Sequence, residues 1–302
     1  MAISRSQLVK ELEPGLNALF GLEYKRYENQ HAEIYTAENS DRAFEEEVML
    51  SGFGNAQVKG EGSGVSFDEA QETFTARYTH ETVALAFAIT EEAIEDNLYD
   101  RLASRYTKAL ARSMSNAKQV KAVEPLINGF GGGFTSGDGA NLFSTSHSTV
   151  SGSFQNTLTT QADLNETSLE QSLIDIGQMT DERGLRVAAR GLKMIIPSEL
   201  QFTAERLMKS QGRTGTADND INAIVSMGMV PQGYRVNNYL TDTDAFFILT
   251  DVPNGMKMFT RAPLTTAMEG DFDTGNVRYK ARERYSFGVS DPRGIFGVSG
   301  AA

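Results

Sequence analysis

Asn276 to Phe296 reads NVRYKARERYSFGVSDPRGIF, and its alternation decides the fold class. Val277, Tyr279, Ala281, Glu283, Tyr285, Phe287 and Val289 fall on one face, and Arg278, Lys280, Arg282, Arg284, Ser286 and Gly288 on the other. Strict period-two alternation over this length predicts a long, half-buried β-strand. The strand runs into Asp291-Pro292-Arg293-Gly294, a turn in which Pro presets φ and Gly relieves the backbone. A long closing strand with a basic outer face suits a protein that holds copies of something together.

Upstream, Phe44 to Ile89 reads as an extended excursion. The acidic Glu45-Glu46-Glu47 leads into Val48-Met49-Leu50, then a glycine-rich tip, Lys59 to Val65, then a second extended segment from Thr73 to Ile89. At about 3.3 Å per residue that segment spans roughly 55 Å. A two-stranded ribbon of such reach is not stable alone in water and needs a partner surface. Thr90 then reads as a helix cap, with Glu91 and Glu92 in the first turn, where the helix dipole favours carboxylates. Ile94, Leu98, Leu102, Tyr106, Leu110 and Met114 recur every four residues, and Arg101, Arg105, Lys108, Arg112 and Lys118 load the later turns. The pattern predicts a helix to Glu124, roughly 50 Å long at about 1.5 Å per residue.

The remainder is mixed. Residues 1–43 read as a loosely ordered arm, with Leu8, Leu12, Leu16, Leu19 and Phe20 in a short amphipathic pattern broken at Pro14-Gly15. Thr167 to Glu170 reads as a capping box, opening a helix that Gly184 ends. Further expectations are a helix over Ser198–Lys209 and strands over Leu192–Ile196, Tyr234–Tyr239, Ala245–Thr250 and Met256–Thr260. The fold class is α+β with one dominant helix and no internal repeat.

Composition removes several chemistries. The chain has 302 residues and no cysteine, so disulfides, thiolate metal sites and cysteine nucleophiles are excluded. Its three histidines, His31, His80 and His147, are scattered, against a histidine metal centre. A formal net charge of −12 argues against nucleic-acid binding by the chain as a whole. No signal peptide or membrane span is read, which makes a cytoplasm the plain expectation for its location.

Candidate catalytic motifs fall to plainer readings. Gly129, Gly131, Gly132 and Gly133 lack the glycine that a dinucleotide fingerprint needs at Phe134, and no Gly-Lys-Ser/Thr follows. Asp242, Asp244 and Asp251 lack the glycine and terminal glutamate of a calcium loop. Ser146 beside His147, with Asp138 nearby, is the one hydrolase-like grouping, and it lacks a Gly-x-Ser-x-Gly elbow. The stripe Arg278/Lys280/Arg282/Arg284 has three readings: a solvated strand face paired with acids across strands, a subunit contact, or a contact with nucleic-acid phosphate.

Four segments then carry a resemblance: Ala88 to Tyr99 (AITEEAIEDNLY), Gly137 to His147 (GDGANLFSTSH), Tyr239 to Phe247 (YLTDTDAFF) and Tyr279 to Gly288 (YKARERYSFG). With the order of arm, glycine-tipped hairpin, long helix, small mixed region and closing strand, the chain resembles the major capsid proteins of tailed bacteriophages, the Hong Kong ninety-seven type fold. Within them it is most similar to the Mu-like major head subunits. The resemblance implies an N-terminal arm over 1–43 and an E-loop over 44–89 lying across a neighbouring subunit. It implies a peripheral domain over 90–186 with the spine helix at 90–124, an axial domain over 187–245, and closing peripheral strands over 246–302. It further implies hexamers and pentamers in an icosahedral shell around double-stranded DNA. Implied partners are many copies of the chain, a separate scaffold, a portal and decoration proteins, with no cofactor, metal, membrane or catalysis. Some relatives cross-link through an E-loop lysine; Lys59 is so placed, but no partner for it is identified and that chemistry is not carried over. The candidate subunit contacts are Glu45, Glu46, Glu47, Lys59, Phe67, Arg77, Arg278, Lys280, Arg282 and Arg284. An encapsulin-like compartment and a hydrolase using Ser146 and His147 are the alternatives.

Overall fold

The computed structural model describes residues 5–90, 92, 99–212, 221–271 and 275–301. Strand β11 (Val277–Val289) forms as its alternation requires, with Tyr279, Ala281, Glu283 and Tyr285 buried and Arg278, Lys280 and Arg282 exposed. It lies inside a four-stranded sheet of order β1-β10-β11-β4, built with β1 (Thr36–Asn39), β4 (Glu81–Ile89) and β10 (Met256–Gly270). β11 runs antiparallel to both neighbours, and β1 joins β10 in parallel. Strand β10 is three times the expected Met256–Thr260 segment in reach, because pairing with β11 carries it through residues 261–270, where alternation is weak.

The inner face of this sheet receives α2 (Tyr99–Ile127). The expected helix start at Thr90–Leu98 falls mostly outside the described residues, and the helix passes Glu124 and takes Pro125 into its last turns. Helix α1 (Arg5–Arg26) packs along α2, with Leu16 and Phe20 buried against Leu110, Met114, Tyr279 and Ala281. The arm is therefore not loosely ordered over this stretch: burial of Leu16 and Phe20 holds a helix that takes Pro14 within it.

The expected single strand Thr73–Ile89 breaks at His80. Its first part, β3 (Glu72–Thr79), pairs with β2 (Phe44–Leu50) as a two-stranded ribbon, while β4 leaves to join the sheet. At the break His80 is buried on the same face as Ala76 and Tyr78, bonding Ser286 Oγ at 3.0 Å and Ser40 Oγ at 2.9 Å.

A second sheet, order β12-β9-β7-β8, combines β7 (Gly191–Ile196), β8 (Tyr234–Val236), β9 (Phe246–Thr250) and β12 (Ile295–Val298). Thus β9 and β12 share a sheet with strands 40 to 100 residues away in sequence, by roughly counting along the chain. Its core gathers Leu169, Ile176, Met194, Ala204, Phe246 and Phe296, under α3 (Glu166–Gln178), α4 (Gln201–Lys209) and α5 (Ala223–Ser226). The capping box at α3 differs from the expected one. Asn165 is the N-cap: its Oδ1 accepts from Ser168 N–H at 2.9 Å, and Ser168 Oγ accepts from Asn165 N–H at 3.0 Å. That helix ends at Gln178, and Gly184 instead supplies a left-handed residue (φ 82°) in the following turn. A hairpin of β5 (His147–Thr149) and β6 (Gly152–Phe154) lies beside it.

Candidate assembly surfaces

The ribbon β2–β3 and the loop 51–71 at its end form the first surface. The ribbon foot is fixed to the first sheet by side chains alternating inward. Lys257 is buried and donates to Glu47 at 2.5 Å and Glu38 at 3.1 Å. Burial works against its charge, but the hydrogen bonds it donates to these two carboxylates hold the Lys257 ammonium above its usual range. Ser40 Oγ donates to Glu45 at 2.7 Å, and the Tyr78 hydroxyl meets Ser290 Oγ at 2.5 Å. Ala76 and Tyr78 pack on Phe259. Outside, Glu46 pairs with Arg77 at 3.7 Å, and the Arg77 guanidinium lies 4.0 Å over the Phe44 ring. The acidic triplet and Arg77 are therefore all engaged within the chain.

Past this foot the loop has one tether. Asp68 accepts from Gly54 N–H and from Arg183, each at 2.6 Å. The Gly54 bond first, then the Arg183 bond, holds the Asp68 carboxyl below its ordinary value. The tip remains open: Val58 is fully exposed, Phe67 is 97% exposed, and Phe53, Val65 and Lys59 are exposed with them. Exposed apolar side chains are thus grouped on one projection.

The outer face of the first sheet forms the second surface. In register, Lys280 sits between Ala86 and Ala267, Arg282 between Ala84 and Thr265, and Arg278 between Ala88 and Glu269. Arg278 also pairs with Asp271. The cross-strand acids expected for the stripe are thus present only at its Arg278 end; Ala and Thr flank Lys280 and Arg282, and no ion pair holds either among the described residues. Arg284 and Arg261 lie at the other end, close enough to His80 to disfavour its protonation. Each has a buried Nε with no hydrogen-bond partner.

The hydrolase grouping does not assemble. His147 is fully buried, its Nδ1 2.7 Å from Asp138 and its Nε2 3.0 Å from Asn156 Oδ1, whereas Ser146 is exposed. Both ring nitrogens are occupied by groups other than the serine. Asn156 is the hub that sequence reasoning missed: its Nδ2 donates to the carbonyls of Leu142, Pro292 and Ile295, and its Oδ1 accepts from Ser144 N–H. Beside it Arg293, also buried, binds Glu182 and Asp291 and lies 4.1 Å over the Phe154 ring. No local sequence signal announces either residue, since their partners lie up to 139 positions away. Among the described residues there is no cluster of three metal-ligating side chains, and no helix is long and apolar enough to cross a membrane.

A rigid two-sheet body with a projecting, partly apolar ribbon and an open charged sheet face defines a building unit of an assembly. The chain belongs to the phage capsid protein family, whose model matches residues 72–298. No curated protein matches it. Among solved structures the fold recurs in a virus-like particle from Pyrococcus furiosus (11% identity, TM-score 0.51, covering 94% of this chain and 97% of that one). It recurs in the capsid of an empty GTA particle (15%, 0.51, 90% and 89%) and in Mycobacterium phage Che8 (17%, 0.51, 89% and 90%). At these identities the likeness is one of fold, that of tailed-phage capsids. The narrower likeness to Mu-like head subunits rests on the sequence segments alone.

Proposed function

We propose that the chain is the major head subunit of a tailed phage, assembling as hexamers and pentamers into a closed icosahedral shell around double-stranded DNA. One observation carries the reading within the family: a ribbon and loop that project from the body with Val58, Val65 and Phe67 in solvent. Burying a side chain of this size is worth about 1.5–3 kcal/mol, so a neighbouring copy that covers the loop is stabilised by it. The ribbon acts as the E-loop, with Lys59 and Phe67 at the contact, and Glu45, Glu46, Glu47 and Arg77 set its angle from within the chain. The role is structural, with no catalytic step and no cofactor. Assembly takes place in the bacterial cytoplasm, with a separate scaffold, a portal and decoration proteins as partners. Contact with the enclosed DNA is not sequence-specific, in keeping with the chain's net charge of −12.

Negative-stain electron microscopy with size-exclusion chromatography, on the chain alone and with a co-expressed scaffold, tests this. Closed particles or regular capsomers are expected. Monomers alone under both conditions would overturn it. A cellular compartment of the same fold would instead give particles that retain a protein cargo and no DNA.

A further inference from the structure

His147 is fully buried, and both of its ring nitrogens face acceptors. Nδ1 lies 2.7 Å from Asp138 Oδ2, and Nε2 lies 3.0 Å from Asn156 Oδ1. The Asn156 amide is not free to turn and offer its NH2 to the ring. Its Nδ2 faces the carbonyls of Leu142 at 2.7 Å, Pro292 at 3.0 Å and Ile295 at 3.4 Å, which have no proton to give. Its Oδ1 also accepts from Ser144 N–H at 2.9 Å. A neutral imidazole has one N–H and one bare nitrogen, so either tautomer sets a ring lone pair against an oxygen lone pair. Two protons shared between Asp138 and His147 satisfy both contacts. Burial pushes the Asp138 carboxyl up, but the bond from His147 and its charge prevail and hold it below its ordinary value, so both protons sit on the ring.

We infer that His147 is a structural imidazolium, and that Asp138, His147 and Asn156 form a proton-loaded clasp that locks the passage between the two sheets and opens at alkaline pH. Two of the carbonyls that Asn156 holds, those of Pro292 and Ile295, lie where the chain leaves β11 of the first sheet and enters β12 of the second. The third, Leu142, belongs to the loop that leads to β5. The Phe154 ring stacks on the imidazole, with centroids 4.9 Å apart, and closes it from water. The other charges around the clasp come from the turn and from the segment after α3. Burial pushes the Asp291 carboxyl up, while Arg293 first, and His147 after it, pull it down. Arg293 is paired with Asp291 and with Glu182. Loss of the ring proton leaves Asp138 a buried carboxylate without its counter-charge, or turns a bare Nε2 on Asn156 Oδ1. Either way Asn156 is pushed from the place where it holds the two sheets together. The clasp lies within one chain, so it works alike in a free subunit and in a shell.

Unfolding against pH tests it. A proton held more tightly by the folded chain than by the unfolded one stabilises fully below the unfolded histidine value of about 6.5 and is lost as pH rises. One such proton lowers the folding constant by up to about tenfold per pH unit over that range. His31 and His80, each held below its ordinary value by burial first, act in the opposite sense and do not mimic the fall. Urea unfolding of the full chain from pH 6.5 to 9 reads it. Hydrogen exchange by mass spectrometry, as protection factors relative to the intrinsic rate at each pH, should show the loss at Ser144 and over residues 292–297 ahead of α2. In Asp138→Asn the new NH2 donates to Nδ1, so a neutral ring with its proton on Nε2 satisfies both contacts. The fall in the unaltered chain should therefore exceed that in Asp138→Asn, and the carboxyls raised by burial, Glu283 and Asp291, are common to both. Where Asp138→Asn does not fold, His147→Gln, with no proton to release, serves in its place. Equal pH profiles in the unaltered chain and the variant overturn the inference. So does an unaltered chain whose protection at Ser144 and 292–297 is the same at pH 6.5 and 9, a reading that needs no variant.

Discussion

Glu283 shows how one side chain can fix the position of the longest helix. It occupies an inward position on β11, where alternation demands an apolar residue, and its Oε2 accepts from Lys118 of α2 at 3.1 Å. Glu283 is 2% exposed and Lys118 15%, so the pair sits in low dielectric and each charge depends on the other. Removing one partner of such a pair costs about 3–5 kcal/mol, because the other is left buried and unmatched. Glu283→Ala should lower the denaturation midpoint accordingly, and Glu283→Ala with Lys118→Met should recover most of the loss. Burial raises the Glu283 carboxyl above its ordinary value despite the opposing pull of Lys118. The sign follows from linkage: the folded chain binds this proton more tightly than the unfolded one. The contribution is therefore full below the ordinary carboxyl value of 4.5 and is lost as pH rises through the raised native one. Glu283→Gln should remove that part of the pH dependence, measured by urea unfolding from pH 4 upward. Asn156 is a second such residue. Its amide satisfies three backbone carbonyls and one N–H, and Asn156→Ala should cost several times the about 1–3 kcal/mol of one unmet buried group.

The ribbon foot shows where an element's behaviour is decided by contacts distant in sequence. Gly288 of β11 has no Cβ because the Tyr78 ring lies against it; a Cβ there would come within 2.6 Å of Tyr78 Cε1. Gly288→Val should displace Tyr78, break its bond to Ser290 and free the foot, seen as faster proteolysis within 51–71 at unchanged helix content. His80 adds a pH dependence. Burial first, then the Arg284 and Arg261 charges, outweigh Glu45 and hold His80 below its ordinary 6.5. A depressed native value means that its contribution is present above 6.5 and is lost as pH falls through the native value. Hydrogen-exchange protection factors in β2 and β3, taken relative to the intrinsic rate at each pH, should therefore fall on acidification, and His80→Asn should flatten that response. These contacts explain what was legible. Period-two alternation announces β11 because one face is buried along its whole length, and four-residue recurrence announces α2. The break at His80 is invisible, since Thr79, His80 and Glu81 continue the alternation, which places the histidine inward with Ala76 and Tyr78, and its bonds to Ser40 and Ser286 are not written in the local sequence. The second half of β10 is equally silent: Arg261 to Gly270 carries Pro263 and little apolar pattern, and its strand form comes from pairing with β11. The basic stripe was legible as a stripe, but that Lys280 and Arg282 have no carboxylate partner among the described residues, while Arg278 has Asp271, follows from register, which the sequence does not print.

The molecule as a whole combines a body that is complete in itself with a projection that is not. Three clusters hold the body: one under α1 and α2, one bridging the two sheets around Phe143, Phe247 and Ile295, and one beneath α3 and α4. None of them includes a residue between Ser51 and Gln71. The tip can therefore be removed without touching what folds the chain. Deleting residues 57–65 keeps the Gly54–Asp68–Arg183 tether and every foot contact, and shortens a surface loop, a change worth about 0.6 kcal/mol or less per halving of loop length. Thermal unfolding should thus shift little. The same deletion removes Val58, Lys59, Glu61 and Val65, which the proposed shell reading offers to a neighbour. In a closed shell each copy makes that contact once and receives it once, so the loss recurs around every ring. The expected outcome is a folded, monodisperse subunit that fails to form shells beside a parent that forms them. Shells of normal yield and size from the deleted chain would show that the ribbon tip is dispensable, and that the interfaces lie on the body.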